Sequence, residues 1–349
     1  MSDKHLRVAL AGLGSFGSQL LQALERCRLE FVGLCDQDGA LAQQASGGRW
    51  PVFDDNRRLL AQTQPQVLLL ATPPEASAKI LRLASRAGAH VWKQAPLARN
   101  LAEAFEFVQL MDDARMKLAV ACTRRRMPGY ARARQWMSRL GRVNLIQAHY
   151  LFNSGPDLGW HGDRASGGGC LLEVGWHMFD LVIWLMGFPD AVFSVAASGQ
   201  LGPARNRPLY DSDDTAVTVF RYTAKVSATI TASRCFSPVS EGLTIYGEKG
   251  SLQAEPSRCI LRDRDGRVLD SATQEQPPLA VLAETVQEFL SAVEAGRDGY
   301  ESSGWENLLT MAAVEAAYLS DRTGQAESPQ FLLASYNVTA KDCLRHRPG

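Results

Sequence analysis

Apolar positions along the chain follow two rhythms, and the change of rhythm near Cys122 divides it. In the first third, short unbroken apolar runs alternate with stretches whose apolar residues recur at helical spacing. Val8-Ala-Leu-Ala11, Phe31-Val-Gly-Leu-Cys35, Val67-Leu-Leu-Leu-Ala71, His90-Val-Trp92 and Leu118-Ala-Val-Ala121 read as strands, with a shorter one at Pro51-Val-Phe53. Between them the spacing predicts helices beginning around Leu20 and over residues 41–45, 56–62, 75–87 (closed by Gly88) and 101–115 (opened by Asn100). Strands apolar on both faces that alternate with helices make a doubly wound parallel sheet, an α/β arrangement. After Cys122 come a helix over 130–140, a strand over 143–151, and a strongly apolar helix over 170–186 entered through Gly167-Gly-Gly169. Alternating strands then follow at 191–197, 215–222, 226–233, 242–247 and 251–254, and helices at 280–295 and 305–323. This second rhythm predicts an α+β domain with a large, mostly antiparallel sheet. The Pro- and Gly-rich segment 199–213 reads as a long loop. The expected organisation is a first domain over 1–122, a second over 123–340, and a tail over 341–349.

Composition narrows the class. A chain of 349 residues is long for one core, which agrees with two domains. Positive and negative side chains balance to zero net charge, and the only basic cluster is the tail around Arg345 and Arg347, so neither nucleic acid nor a membrane surface is an expected partner. No apolar run approaches a bilayer span, and the first strand starts too early to leave room for a signal peptide. The seven cysteines are scattered without a Cys-x-x-Cys pair, as in reduced cytoplasmic proteins. No Cys/His pair has metal-ligand spacing, so no metal is expected.

Chemistry enters at Gly12-Leu-Gly14-Ser15-Phe16-Gly17, where the first strand turns into the first helix. One glycine makes the tight turn, one lets the backbone approach a pyrophosphate, and one lets helix pack on strand; the helix N-terminus then faces the anion. The second strand ends in Asp36, about twenty residues beyond the last glycine, where a carboxylate accepts from ribose hydroxyls. An acid there repels a 2′-phosphate and no arginine follows it, so NAD is favoured over NADP. Thr72-Pro73-Pro74 ends a buried strand at the carboxyl edge of the sheet, where such folds bind ligand.

With these features, the run from Gly167 to Asp180, Thr123-Arg-Arg-Arg-Met-Pro-Gly-Tyr130, Asp213-Asp-Thr-Ala216 and Leu243-Thr-Ile-Tyr-Gly-Glu-Lys-Gly250 make the chain resemble the Gfo/Idh/MocA family of dehydrogenases over nearly its whole length. The resemblance implies a first domain that binds the dinucleotide and a second whose open sheet mediates homodimers or homotetramers. It also implies hydride transfer on small molecules such as sugars, cyclitols and their derivatives.

Hydride transfer from a hydroxyl-bearing carbon needs a group to take the hydroxyl proton. The family draws on a Glu-Lys-Pro motif and on Asp-x-Gly-x-x-x-Asp with a histidine four residues after the first acid. Here the second reads Glu173-Val-Gly-Trp-His177-Met-Phe-Asp180. At i and i+4 on a helix, Glu173 and His177 share a face, His177 as proton acceptor or donor and Glu173 as its orienter or as a ligand for a substrate hydroxyl. A capping acid and a core histidine are the plain alternative. The first motif is broken: Gln94 stands at the glutamate position, on the cofactor side, and Ala95 at the lysine position. Lys93 leaves an extended chain on the same face as Ala95, about 7 Å away, and either reaches the site as a catalytic amine or is solvated at a strand end. On the substrate side the resemblance points to Arg124, Tyr150, Asn153, Trp160 and His161. The leading expectation is an NAD(P)(H)-dependent oxidoreductase acting on a sugar-, cyclitol- or secondary-metabolite-like molecule. Redox-neutral elimination or glycoside cleavage through NAD, and a dinucleotide-binding protein without catalysis, stay open beside it.

Overall fold

The computed structural model describes residues 5–155, 158–199, 210–223 and 225–346. It contains two compact units. One comprises Met1–Ala121, Pro277–Asn307 and Cys343–Gly349; the other comprises Cys122–Gln276 and Leu308–Asp342.

In the first unit, strands β1 (Arg7–Ala11), β2 (Glu30–Cys35), β3 (Val52–Phe53), β4 (Val67–Leu70), β5 (His90–Lys93) and β6 (Leu118–Val120) form a parallel sheet in the order β3-β2-β1-β4-β5-β6. Helices α1 (Ser15–Leu24), α2 (Gly39–Ser46), α3 (Asn56–Thr63), α4 (Pro74–Ala87) and α5 (Leu101–Asp113) connect them. The caps expected of such helices are present: Asp38, Asp55 and Asn100 each accept backbone N–H groups at the starts of α2, α3 and α5. All four residues of β4 are buried. The strand order reverses direction between β1 and β4, and in open sheets of this kind ligands bind at the carboxyl ends beside such a reversal.

The segment Pro277–Asn307 lies in this first unit, whereas the linear reading gave it to the second domain. The reason is apolar burial. Helix α8 (Pro278–Glu294) carries Leu282, Val286, Phe289 and Leu290 at helical spacing, and these join the core formed by Val8, Leu10, Val67 and Leu69 with Leu20 and Leu24 of α1. Ser302 also adds its carbonyl to the edge strand, accepting from Val120 N–H at 2.9 Å.

The second unit begins with a 3-10 turn (Thr123–Arg126) and α6 (Pro128–Trp136). Its sheet consists of β7 (Val143–Asn153), β8 (Ala191–Ala197), β9 (Thr215–Tyr222), β10 (Val226–Ser233), β11 (Cys235–Gly247), β12 (Gly250–Ala254), β13 (Arg258–Asp263) and β14 (Val268–Thr273). The order is β14-β13-β12-β11-β7-β10-β9-β8, antiparallel except for the β7–β10 pair. Strands β13 and β14 and the first half of β11 were not legible in the alternation: β13 buries Cys259, Ile260 and Leu261 in a row, while β14 leaves Val268 and Leu269 exposed and the first half of β11 leaves Phe236 and Val239 exposed. Helix α7 (Trp176–Met186) packs on the sheet, with Phe179 edge-on to Phe220 of β9 at 4.8 Å between ring centres. Its expected first turn is a separate π-helical turn, Leu171–Gly175. Helix α9 (Gly304–Thr323) completes the major elements. Of the long loop expected over 199–213, residues 200–209 lie outside the described residues, as does Arg347 of the tail.

Candidate active site

The glycine turn between β1 and α1 is a backbone-on-backbone contact. Gly12 has φ +93°, and a Cβ there would stand 2.4 Å from the Ala71 carbonyl oxygen. A Cβ on Gly17 would stand 2.1 Å from the Gly12 carbonyl oxygen, so helix and turn meet only because that side chain is missing. Around Gly14 the position of a Cβ has no atom within 4 Å. The start of α1, at Ser15, has no side-chain cap and no acidic residue in its first turn, which leaves its N–H groups for an external acceptor. Asp36 sits beside the turn with both carboxylate oxygens held: Leu13 N–H donates to Oδ2 at 2.6 Å and Asp38 N–H to Oδ1 at 2.9 Å. Phe16 lies nearly parallel to Trp92 at 6.4 Å. Across the reversal, Thr72 contacts the Ser77 hydroxyl, and Pro73 and Pro74 form the uncapped start of α4. An open glycine, bare helix N-termini and a fixed carboxylate at the end of the second strand fit a dinucleotide diphosphate and its ribose.

Gln94 continues the ladder, its N–H donating to the Leu70 carbonyl at 2.8 Å. Lys93 follows neither expectation made for it. It is only 1% exposed, and its amine donates to the Gln94 carbonyl at 2.9 Å and the Pro96 carbonyl at 2.5 Å. Burial pulls its pKa down to about 7, with Glu103 acting in the opposite sense. The side chain braces the Gln94–Pro96 turn from inside instead of reaching outward.

In the second unit, the arginines after β6 are engaged in ion pairs. Arg124 grips Glu241 of β11 through two nitrogens at 2.9 and 3.0 Å, and Tyr130 donates to the same carboxylate at 3.0 Å. Arg125 grips Asp180 in the same way, so the last acid of the Glu173–Asp180 motif is part of a buried structural pair. The Arg124 guanidinium also lies 4.5 Å above the Tyr150 ring, and Tyr150 and Trp176 stand edge-on to His177 at 6.4 and 5.3 Å. Burial, and then the Arg124 charge, hold the His177 imidazole well below the usual histidine range, so it is neutral near pH 7.

Glu173 and His177 form no hydrogen bond with each other among the described residues. The Glu173 carboxylate turns back over the π-helical turn: Oε1 accepts from Gly169 N–H at 2.9 Å and lies 3.7 Å from Arg234, and Oε2 is hydrogen-bonded to His161 Nδ1. His161 sits in a 3-10 turn, Gly159–Gly162, with its ring stacked on Trp160 at 3.9 Å and its side chain 46% exposed. Asn153 spends its side-chain oxygen on Gly155 N–H at 2.9 Å, closing its own turn. The expected residues thus fall into two groups, Glu173 with His161 and Arg234, and His177 with Tyr150, Trp176 and Arg124, with Asn153 turned to local structure.

Three participants were missed in the sequence. Arg234 is buried at the end of β10 and donates to the carbonyls of His161 and Asp213 and to the Ser212 hydroxyl. Glu241 holds Arg124, and Trp92 faces Phe16. Only Arg234 left a sequence signal, a charge directly after an alternating strand. Among the described residues no group of three His, Cys, Asp or Glu side chains could hold a metal ion, and no helix is long and apolar enough to cross a membrane.

Residues 6–122 match the family described as "Oxidoreductase family, NAD-binding Rossmann fold" (GFO/IDH/MocA), and residues 130–253 match the GFO/IDH/MocA C-terminal domain. Among curated relatives, D-apiose dehydrogenase of Paraburkholderia graminis is 27% identical over 352 residues, covering 92% of this chain and 89% of the relative. D-glucoside 3-dehydrogenase of Escherichia coli is 29% identical over 208 residues, covering 56% and 58%. Among solved structures, a levoglucosan dehydrogenase in complex with NADH and levoglucosan superposes with a TM-score of 0.83 at 20% identity, covering 93% of this chain and 99% of that one.

Proposed function

The chain belongs to the Gfo/Idh/MocA family of NAD-binding oxidoreductases, and from that premise we propose that it oxidises or reduces a small polyhydroxylated molecule, a sugar, a cyclitol or a derivative of one. The observation that carries the cofactor side is the Asp36 carboxylate, fixed by Leu13 and Asp38 N–H groups at the foot of the glycine turn. It suits the two free ribose hydroxyls of NAD and opposes the 2′-phosphate of NADP. Gly12, Gly14, Ser15, Phe16 and Gly17 form the phosphate turn, and Thr72, Pro73, Pro74 and Gln94 border it. When bound, the nicotinamide accepts or supplies the hydride.

On the substrate side the reading rests on two groups, His177 with Tyr150 and Arg124, and Glu173 with His161 and Trp160. Aromatic faces beside carboxylate and imidazole groups suit a ring that bears hydroxyls. The names of the relatives, dehydrogenases of apiose, glucosides and levoglucosan, point the same way. Nothing found favours redox-neutral chemistry or loss of catalysis. Lys93 enters this reading as a brace for the Gln94 turn.

Phe193, Val195, Val217 and Tyr246 lie on one face of the second sheet, 40, 58, 48 and 39% exposed, which supports assembly into a homodimer or homotetramer through that face. All seven cysteines are free, in keeping with a cytoplasmic setting. The test is a panel of D-apiose, methyl β-D-glucoside, levoglucosan and myo-inositol with NAD and with NADP, followed at the reduced nicotinamide absorbance. Turnover of at least one with NAD is expected. Inertness toward every member in both directions would overturn the reading.

A further inference from the structure

We propose that the first unit carries a second ligand site, at the edge of its sheet remote from the glycine turn, which takes a small aromatic carboxylate. The proposal goes beyond the oxidoreductase reading and stands apart from it.

The site is a cavity of about 310 Å³ at the amino end of β6, lined throughout by residues of the first unit. Sites for small molecules start near this size, at about 300 Å³. The strands of this sheet are parallel, so the start of β6 and the turn after β1 are on opposite edges. Helix α5 supplies Val108 and Met111, and the turn into β6 supplies Met116 and Leu118. The segment 298–305 supplies Tyr300 and Trp305, and the tail closes one side with His346.

These walls are tied to one another. The Tyr300 hydroxyl donates to the Leu118 carbonyl and accepts from the Leu118 N–H, both at 3.2 Å. Tyr300 N–H donates to the His346 carbonyl at 2.9 Å. Arg345 lies 3.8 Å above the Trp305 ring and pairs with Asp112 of α5 at 2.8 Å, which fastens the tail. Little ordering is then required when a ligand enters.

The chemistry of the walls selects the ligand. Two thioethers, Met111 and Met116, stand among the lining side chains with two aromatic rings, and sulfur packs favourably against a ring. That favours an aromatic body. Charge favours an anion. Arg115 and Lys117 line the cavity, and neither forms an ion pair among the described residues; the Lys117 amine is held 5.3 Å from the centre of the Tyr300 ring. Of the two lining carboxylates, Asp112 is matched by Arg345, which leaves Asp298 against two cations. His346 adds no charge near pH 7, because burial and then the Arg345 guanidinium hold its pKa below the usual histidine range. The Trp305 indole N–H is buried without an acceptor among the described residues, a further unmet donor in that wall.

The test uses the full chain, 15N-labelled at tryptophan, with the Trp305 indole signal assigned through Trp305→Phe. Sodium benzoate is the probe; benzyl alcohol carries the ring without the charge, and acetate the charge without the ring. Benzoate should move the Trp305 signal saturably, with a dissociation constant on the order of 1 mM or below. Both controls should bind at least about tenfold more weakly, a difference of about 1.4 kcal/mol. Lys117→Met and Arg115→Gln should each weaken benzoate roughly two- to fivefold, the worth of a partly exposed ion pair, with thermal unfolding unchanged. A Trp305 signal that benzoate does not move saturably overturns the proposal. So does acetate or benzyl alcohol binding as tightly as benzoate, and so does equal benzoate affinity in the wild type and both variants. An NADH titration of the same samples reads the glycine turn on its own, so failure of this site and failure of the oxidoreductase reading are distinguishable.

Discussion

The glycine turn makes a prediction that separates folding from binding within a few residues. Gly17→Ala places a methyl group 2.1 Å from the Gly12 carbonyl oxygen and 2.8 Å from its carbon. A carbon–oxygen contact of this kind settles near ~3.3 Å, so α1 must retreat by more than an ångström from the turn it caps. Gly14→Ala meets nothing within 4 Å, and φ −57° at that residue is ordinary for alanine. Overpacking of the first kind costs about 1–3 kcal/mol, on the order of 5 °C in Tm. The second change alters stability by less than ~0.5 kcal/mol, yet its methyl stands where a pyrophosphate approaches the turn. Its dissociation constant for NADH should rise at least tenfold, about 1.4 kcal/mol. Thermal unfolding without ligand and a fluorescence titration with NADH read the two effects separately. If Gly14→Ala binds NADH as tightly as the wild type, or destabilises the fold as much as Gly17→Ala, the assignment of roles to the two glycines is wrong.

Further outcomes follow from the same geometry. Asp180→Ala leaves the Arg125 guanidinium buried without its carboxylate and should cost about 3–5 kcal/mol in urea unfolding; joining it to Arg125→Met should restore most of the loss, and equal single and double mutants would refute the pairing. Lys93 titrates at about 7 in the fold but near 10 in an unfolded chain, so between those values the unfolded chain holds the extra proton and wild-type stability rises with pH, by up to ~1.4 kcal/mol per unit. Urea midpoints between pH 7 and 8 should rise more in the wild type than in Lys93→Met, the ionisation of unfolded thiols acting equally on both; parallel curves would contradict it. Asp36→Ala removes the acceptor for two N–H groups and should weaken NADH about tenfold while affecting NADPH less, as competitive titrations would report; equal losses would deny Asp36 its part in cofactor choice. Glu173→Asp keeps the charge but shortens the reach to His161 Nδ1, so the downfield Nδ1 proton that 15N-histidine-labelled wild type should show for this pair should vanish without loss of stability; an unchanged spectrum would show that the extra methylene is not what joins the pair.

The first sheet was legible because its strands are buried on both faces, and a run such as Val67–Leu70 has no polar residue to blur its limits. The second sheet was legible where one face is covered. The bounds of β8, β9 and β10 match those read from the sequence, and in β10 every second side chain, Val226, Ala228, Ile230 and Ala232, is buried. β13 buries Cys259, Ile260 and Leu261 in a row and β14 leaves Val268 and Leu269 exposed, so neither shows the period of a strand covered on one face. The placing of α8 failed for another reason. Its apolar stripe was plain, but an amphipathic helix carries no record of which core receives it, and its contacts reach back more than two hundred and fifty positions, as from Ala283 to Cys27 just beyond α1.

The glycine turn was legible from its spacing between a strand and a helix; Gly17 answers a steric demand set by Gly12 five residues before it, whereas Gly12 answers the Ala71 carbonyl across the sheet and Gly14 has open space around it. The substrate-side groups were not legible, and Glu173 illustrates why. Its spacing from His177 is right for two groups on one helical face, and the inference held as far as the helix did. At that point the helix is a π turn, and the side chain has three suitors outside it: Gly169 N–H, Arg234 and His161. Two of these come from loops, and the third from the far end of β10. A carboxylate chooses among donors by distance and charge, not by sequence interval, and a backbone N–H together with a guanidinium and an imidazole outweighs one buried neutral histidine. The same choice leaves His177 among aromatic rings and His161 with a charge behind it.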